Sequence, residues 1–242
     1  MRNVAIIQAR MGSTRLPGKV LKTLVDKSVL AHVVDRAQAI DGIDEVVVAT
    51  TTNAEDDAIV EETKRLGAAF YRGSETDVLA RYYEAARAYQ ADVVMRITSD
   101  CPLLDPEVSG LVLRNFHAED TFDYVSNTLE RSYPRGLDTE VFTFDALTTA
   151  FMEAKEYHQR EHVTPYLYEN SLRFHCKSVR SETDYSRYRW TLDTPEDWEL
   201  IVRMYEHLYE PDKLFAWKDS LALMERYPEL ATINEHILQK SK

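Results

Sequence analysis

Residues Gln8 to Lys19 read QARMGSTRLPGK and directly follow the apolar run Val4 to Ile7. Three cations, Arg10, Arg15 and Lys19, stand among Gly12, Gly18 and the hydroxyls of Ser13 and Thr14. Gly12 has no side chain to keep a ligand from the backbone. Arg10 offers a planar fork for phosphate oxygens, and Lys19 a mobile point charge. The chemistry open to this set is the holding of an anion. It is not a P-loop, which needs four residues between its glycine and the Gly-Lys pair and then Ser or Thr. Here five residues separate Gly12 from Gly18, and Val20 follows Lys19. It is not the three-glycine dinucleotide turn either, because only Gly12 and Gly18 are present and Pro17 precludes the tight helix start. A second pattern, His158-Gln159-Arg160-Glu161-His162, fits the H-x-x-E-H zinc frame. Two histidines four apart can grip a metal, but no third ligand is identifiable.

The elements that must position these residues alternate. Val4 to Gln8 reads as a strand, and Ser28 to Ile40 as a helix with a serine at its start. Glu45 to Thr50 is a β-branched run suited to a strand covered on both faces. A helix over Glu55 to Leu66 stops at Gly67, a strand covers Ala68 to Tyr71, and a helix covers Asp77 to Tyr89. Asp92 to Thr98 is a strand leading into Ser99-Asp100-Cys101-Pro102, and Pro106 opens a helix to about Phe116. Such alternation predicts a mostly parallel α/β sheet with helices on both faces, and ligands beyond the carboxyl ends of its strands. Both the opening loop and Asp100 then lie along one edge.

The second half reads differently. Strands are expected at Asp123 to Ser126, Thr139 to Phe144, Leu172 to Ser178 and Tyr188 to Leu192. Helices are expected at Ala146 to Lys155, near Gln159 to Glu169, and from Pro195 onward with breaks near Pro211 and Pro228. Thr194 and Pro195 suit a cap and a first helical position. No repeat, low-complexity stretch or long linker divides the chain. We expect a single domain over 1–242, with a nucleotide-binding half (1–120), a sugar-binding and dimer-contact region (121–185), and a metal-site strand with C-terminal helices (186–242).

The chain has 242 residues and a formal net charge of -12. That charge excludes extended nucleic acid as an expected partner and makes the cationic loop stand out as a local anion site. No run is long and apolar enough for a membrane span, and the N-terminus lacks the pattern of a signal peptide, so a cytoplasmic protein is expected. Cys101 and Cys176 form neither a disulfide framework nor a metal frame.

QARMGSTRLPGK resembles the signature loop of the cytidylyltransferases that activate acidic sugars, the CMP-sialate and CMP-KDO synthetases, and more closely the spore-coat polysaccharide biosynthesis F-type branch. Further stretches carry the resemblance: DEVVVATT from Asp44, YRGSETDVLARYYEAA from Tyr71, RITSDCPLLDP from Arg96, DYVSNT from Asp123, YPRGLDTEVF from Tyr133, REHVTPY from Arg160 and RWTLDTPED from Arg189. It extends to about Tyr205. The resemblance implies a three-layer nucleotide-diphospho-sugar transferase fold, similar to glycosyltransferase A, usually dimeric. It implies CTP and an acidic sugar as substrates, CMP-sugar and pyrophosphate as products, and Mg2+ as cofactor. It implies Arg10, Ser13 and Lys19 at the triphosphate with Gln8, Ala9 and Gly12 beside them, and Arg72, Ser74 and Asp77 near cytosine and ribose. Asp100 and Asp193 match the metal-binding aspartates. Arg10, Lys19, Asp100 and Asp193 then form the catalytic set.

Around the sugar, the resemblance implies Arg160, Glu161 and His162, with Arg160 suited to pair with a carboxylate. Tyr133, Arg135, Gly136, Asp138 and Glu140 form a second sugar-facing set, in which Asp138 and Glu140 share one face of a strand. Two other readings keep the fold. One is a non-catalytic nucleotide-sugar-binding subunit, the other a nucleotidyltransferase using another nucleotide or sugar.

Overall fold

A computed structural model describes residues 1–119 and 121–237 of the chain. Its strands are β1 (Asn3–Gln8), β2 (Thr23–Leu24), β3 (Lys27–Ser28), β4 (Glu45–Thr51), β5 (Ala69–Gly73), β6 (Val93–Thr98), β7 (Tyr124–Ser126), β8 (Glu140–Thr143) and β9 (Cys176–Ser178). Its α-helices are α1 (Val29–Gln38), α2 (Asp57–Arg65), α3 (Val78–Ala88), α4 (Pro106–His117), α5 (Phe144–Glu153), α6 (Tyr157–His162), α7 (Pro165–Glu169), α8 (Pro195–Leu208), α9 (Trp217–Arg226) and α10 (Glu229–Thr232).

Side chains alternate across each strand, so a run that is apolar throughout needs cover on both faces. In β1, Ala5 and Ile7 enter one core with Leu30 and Val33 of α1, Ile59 of α2 and Val112 of α4. Val4 and Ile6 enter a second core with Leu79 and Tyr82 of α3 and Leu147 of α5. The same division separates Val46 and Val48 from Val47 and Ala49 in β4. The result is three layers, helix, sheet, helix.

The central sheet has seven strands in the order β5-β4-β1-β6-β8-β7-β9. All run in one direction except β8, which is antiparallel to β6 and β7. The chain builds outward from β1 through β4 to β5, then returns to place β6 on the other side of β1. That reversal opens a crevice between the carboxyl ends of β1 and β6.

Local chemistry sets the element ends. Ser28 Oγ accepts from Ala31 N at 3.0 Å to cap α1, and Asp77 Oδ1 accepts from Ala80 N at 2.9 Å to cap α3. A third core, with Trp190, Leu192, Leu200, Met204 and Leu221, packs α8 and α9 beside the sheet.

Three expected elements differ. Gln159 to Glu169 is two helices, because Val163 takes φ 73 and Pro165 restarts the chain as α7. The expected strand from Leu172 shrinks to β9, and Leu172 itself stands fully exposed. Tyr188 to Leu192 joins no ladder; its one bridge pairs Arg189 with Arg135. The expectation for the last residues of the chain, 238–242, lies outside the described residues. No helix among the described residues is long and apolar enough to cross a membrane.

Candidate active site

A cavity of about 530 Å³ occupies the crevice and is lined by Gln8, Ala9, Arg10, Gly12, Ser13, Lys19, Asp100, Glu161, His162 and Asp193. The structure thus brings together the loop after β1, the turn after β6, the end of α6 and the turn before α8.

The loop is tied down at its start. Ala9 N donates to Ala49 O at 3.1 Å, and Met11 N to Asp56 Oδ1 at 2.7 Å. Asp56 is fully buried and also accepts from the Thr51 hydroxyl. Ser13 N and Gly18 N then close back onto Met11 O at 2.8 and 3.3 Å. This folded bend delivers Lys19 inward, onto the turns that carry both aspartates.

Lys19 Nζ donates to Asp100 Oδ2 at 3.0 Å, Asp193 Oδ1 at 2.9 Å and Leu192 O at 2.7 Å. An ammonium has three donors, and these contacts use them all. Burial works against the charged Lys19, but Asp100 and Asp193 outweigh it and raise its pKa above the ordinary value. Burial likewise pushes the Asp100 carboxyl up; Lys19 and hydrogen bonds from Thr98 and Cys101 outweigh that and hold it down at about 2. Both groups are therefore ionised at neutral pH. Asp193 Oδ2 meets Arg15 at 3.1 Å and Arg189 at 3.0 Å.

Asp193 arrives here without a strand ladder. Trp190 N donates to Arg135 O at 2.7 Å, and Leu192 N to Asp100 O at 2.8 Å, so the backbones of the two aspartate turns are joined directly. Thr194 then caps α8, accepting from Asp197 N at 3.3 Å.

The arrangement fits a divalent cation. One carboxylate oxygen from each aspartate lies within 3.0 Å of the same nitrogen, so the two converge on a point already occupied by positive charge. The donors are hard oxygens, as magnesium prefers. No group of three His, Cys, Asp or Glu among the described residues is arranged to hold a metal. Two carboxylates suffice where substrate phosphates and water complete the shell. Within the H-x-x-E-H frame His158 engages outside the cavity, its Nε2 2.8 Å from Glu169 Oε1, while Glu161 and His162 line the cavity.

Several expected site residues do not line the cavity, each for a visible reason. Arg72 donates to Thr51 O and Asn53 O at 2.9 Å each and to Asp57, bracing the start of α2. Ser74 Oγ accepts from Asp77 N at 3.0 Å within the turn before α3. Asp77 caps α3 and pairs with Arg160, whose Nη1 donates to Phe151 O at 2.7 Å. Tyr133 is buried against Trp217. Gly136 has φ +104 and packs on the backbone of Trp190. Asp138 is gripped by both Arg131 nitrogens at 2.6 and 2.7 Å. Glu140 is buried, pairs with Arg96 and accepts from the hydroxyls of Tyr124 and Thr164 at 2.6 Å each.

The stretch expected near the base contributes other members instead. Glu75, Thr76, Val78 and Arg81 line the cavity. Glu75 lies 3.6 Å from Arg10. Arg81 is almost wholly buried and donates to Ser74 O. Its sequence signal was present: Arg81 falls inside the buried stripe of Val78, Tyr82 and Ala85, where a hydrophobe is expected.

The family model described as cytidylyltransferase matches residues 4–216. The spore coat polysaccharide biosynthesis protein SpsF of Bacillus subtilis strain 168 is 32% identical over 95% of this chain and 97% of its own length. A solved cytidylyltransferase structure from Leptospira borgpetersenii superposes with a TM-score of 0.92 at 33% identity, covering 99% of this chain and 100% of that one. A CMP:2-keto-3-deoxy-manno-octonic acid synthetase solved in complex with CTP shares the fold, with a TM-score of 0.67 at 19% identity over 86% of this chain and 99% of that one.

Proposed function

This chain belongs to the cytidylyltransferase family, and on that premise we propose that it transfers CMP from CTP to the anomeric hydroxyl of an acidic sugar, of the nonulosonic or 3-deoxy-ulosonic class. The observation that carries the reading is the convergence of Asp100 and Asp193 on Lys19 beneath the cationic bend. The solved relative with CTP bound supports the nucleotide and the sugar class, and the name of the Bacillus protein supports a place in surface polysaccharide synthesis.

The sugar oxygen forms a bond to the α-phosphorus, the bond from that phosphorus to pyrophosphate breaks, and the hydroxyl proton passes to solvent water. Arg10 and Ser13 would bind the triphosphate, with Gln8, Ala9 and Gly12 shaping the wall beside it; Lys19 would join them once a metal ion replaces it on Asp100 and Asp193 and frees its donors. Lys19 keeps its proton, so it offers fixed positive charge where the departing pyrophosphate gains negative charge. Asp100 and Asp193 would hold Mg2+, which supplies neutralisation of phosphate charge. Glu161 and His162, 3.9 Å apart, line the same cavity and would meet the acceptor. The protein would act in the cytoplasm as a homodimer. Sedimentation would measure the dimer.

One observation favours a second acceptor class. Arg160, the cation expected to meet a sugar carboxylate, is paired with Asp77. An acceptor lacking the carboxylate suits the Glu161 and His162 side better. Pyrophosphate release from CTP and Mg2+ with a panel of acidic, neutral and amino sugars tests both readings. Turnover with acidic sugars supports the first, and turnover confined to sugars without a carboxylate replaces it with the second. No release with any sugar, together with no CTP binding, overturns both.

A further inference from the structure

Asp193 is held from behind by a buried pair. Its backbone N–H donates to Asp197 Oδ2 at 2.9 Å. Arg189 bridges the two carboxylates, reaching Asp193 Oδ2 at 3.0 Å and Asp197 Oδ1 and Oδ2 at 2.9 and 3.0 Å. Asp197 has no exposed surface, so each lone pair that loses its donor finds no water in exchange. One of its donors comes from far along the chain. Asn234, itself 3% exposed, donates from Nδ2 to Asp197 Oδ1 at 2.8 Å and to the Arg189 carbonyl at 2.9 Å. The two protons of one amide thus reach both members of the pair. Asn234 follows α10 and lies beyond residue 216, where the family match stops. Leu230, buried in the third core, anchors the helix that brings it there.

We propose that Asn234 is a positioning residue for the metal-side carboxylate: its amide locks Asp197 and Arg189 together, and that pair fixes the direction of Asp193. The inference rests on the reading of Asp193 as a metal ligand. Without the amide, Asp197 Oδ1 keeps only Arg189 among these donors, and the Arg189 carbonyl loses its side-chain donor. Arg189 holds Asp193 Oδ2 from the buried side, opposite the half-exposed Arg15, so a shift of Arg189 toward Asp197 weakens the buried half of that grip. Partners behind a metal ligand act in this way, through orientation, and their loss typically weakens metal binding by about 10- to 100-fold.

The test is Mn2+ binding to the full chain in the presence of CTP, followed by electron paramagnetic resonance, which requires no sugar and no turnover. Asn234→Ala and Asn234→Leu, the second of which keeps the volume while removing the donors, are both expected to weaken Mn2+ binding by about tenfold. Leu113→Ala, a truncation in the first core away from the cavity, is expected to lower the melting temperature and leave Mn2+ affinity unchanged. Unchanged Mn2+ affinity in the two Asn234 variants overturns the proposal. Equal weakening in Leu113→Ala also overturns it, because the loss then follows lowered stability and not the amide. Asp193→Asn is the reference: full Mn2+ affinity in that variant removes the metal reading itself, whereas weakening there with none at Asn234 removes only the lock.

Discussion

Lys19 is the residue on which the site turns, because it neutralises two carboxylates that would otherwise face each other partly buried. Lys19→Met should lower pyrophosphate release by about 10²- to 10³-fold, the usual loss when a poised donor is removed from developing charge. The same variant should melt lower in chelator and recover when Mg2+ is added, as calorimetry would show; identical melting in both conditions would contradict the convergence of the two aspartates on one cation. The pair also sets a pH window. Asp100 is held at about 2, below its ordinary 3.8, so its contribution to stability is complete above the ordinary value and is lost as pH falls toward 2. Lys19 is raised above its ordinary 10.5, so its contribution is complete below that value and is lost as pH rises through the raised one. Asp100→Asn should therefore flatten part of the acid limb in a plot of melting temperature against pH. These ion pairs were not legible one by one. A lysine and two aspartates separated by 81 and 174 positions carry no signal of contact until the turns meet.

At the scale of elements, the unusual piece is the extended segment before α8, which carries Asp193 without belonging to the sheet. Gly136 braces it. A Cβ there would stand 2.5 Å from Trp190 O and 2.6 Å from its carbonyl carbon, in a backbone region with φ +104. Backbone cannot swing aside as a flexible side chain can. Gly136→Ala should cost more than the ~1–3 kcal/mol of the strained conformation alone, and it should displace Asp193 and reduce turnover. Gly67→Ala is the comparison, since Gly67 has φ +66 but nothing within 4 Å of the added carbon. Urea midpoints for the two variants would separate conformational strain from collision; equal losses would show that the contact with Trp190 relaxes freely. The loop after β1 has a corresponding brace in Asp56. Asp56→Ala frees Met11 N–H and should weaken CTP binding in calorimetry while leaving the sheet intact.

Across the whole molecule, one buried group fastens the parallel half of the sheet to its mixed half. Glu140 of β8 pairs with Arg96 of β6 and accepts from Tyr124 of β7 and from Thr164 ahead of α7. Burial raises its pKa, but Arg96 and the two hydroxyls outweigh it and bring the net shift below the ordinary value. Its contribution is thus present above the ordinary carboxylate range and fades as pH falls below it. Glu140→Gln keeps the shape and removes the charge, leaving Arg96 buried without its counter-ion, which typically costs about 3–5 kcal/mol. Urea unfolding would measure this. A loss near zero would mean that Arg96 leans on Gln8, whose Oε1 on the cavity wall already accepts from its Nη2 at 3.1 Å.

By itself, the sequence determined the layers, most helix starts, the cationic loop and, through motif order, the family. Those features are local: an apolar run, a serine before a helical stripe or a threonine before proline acts within a few residues of itself. Only the tertiary structure decided which neighbours in a motif face the ligand. Arg160, Glu161 and His162 are consecutive, yet the first turns to Asp77 while the other two line the cavity. Asp138 and Glu140 share a strand face in the pattern, yet one meets Arg131 and the other Arg96. The choice of an ionic partner depends on distance through space, and that distance is set when whole elements pack. For the same reason Asn234, 37 residues from Asp197, could be found only after the C-terminal helices had folded back onto the turn that carries Asp193.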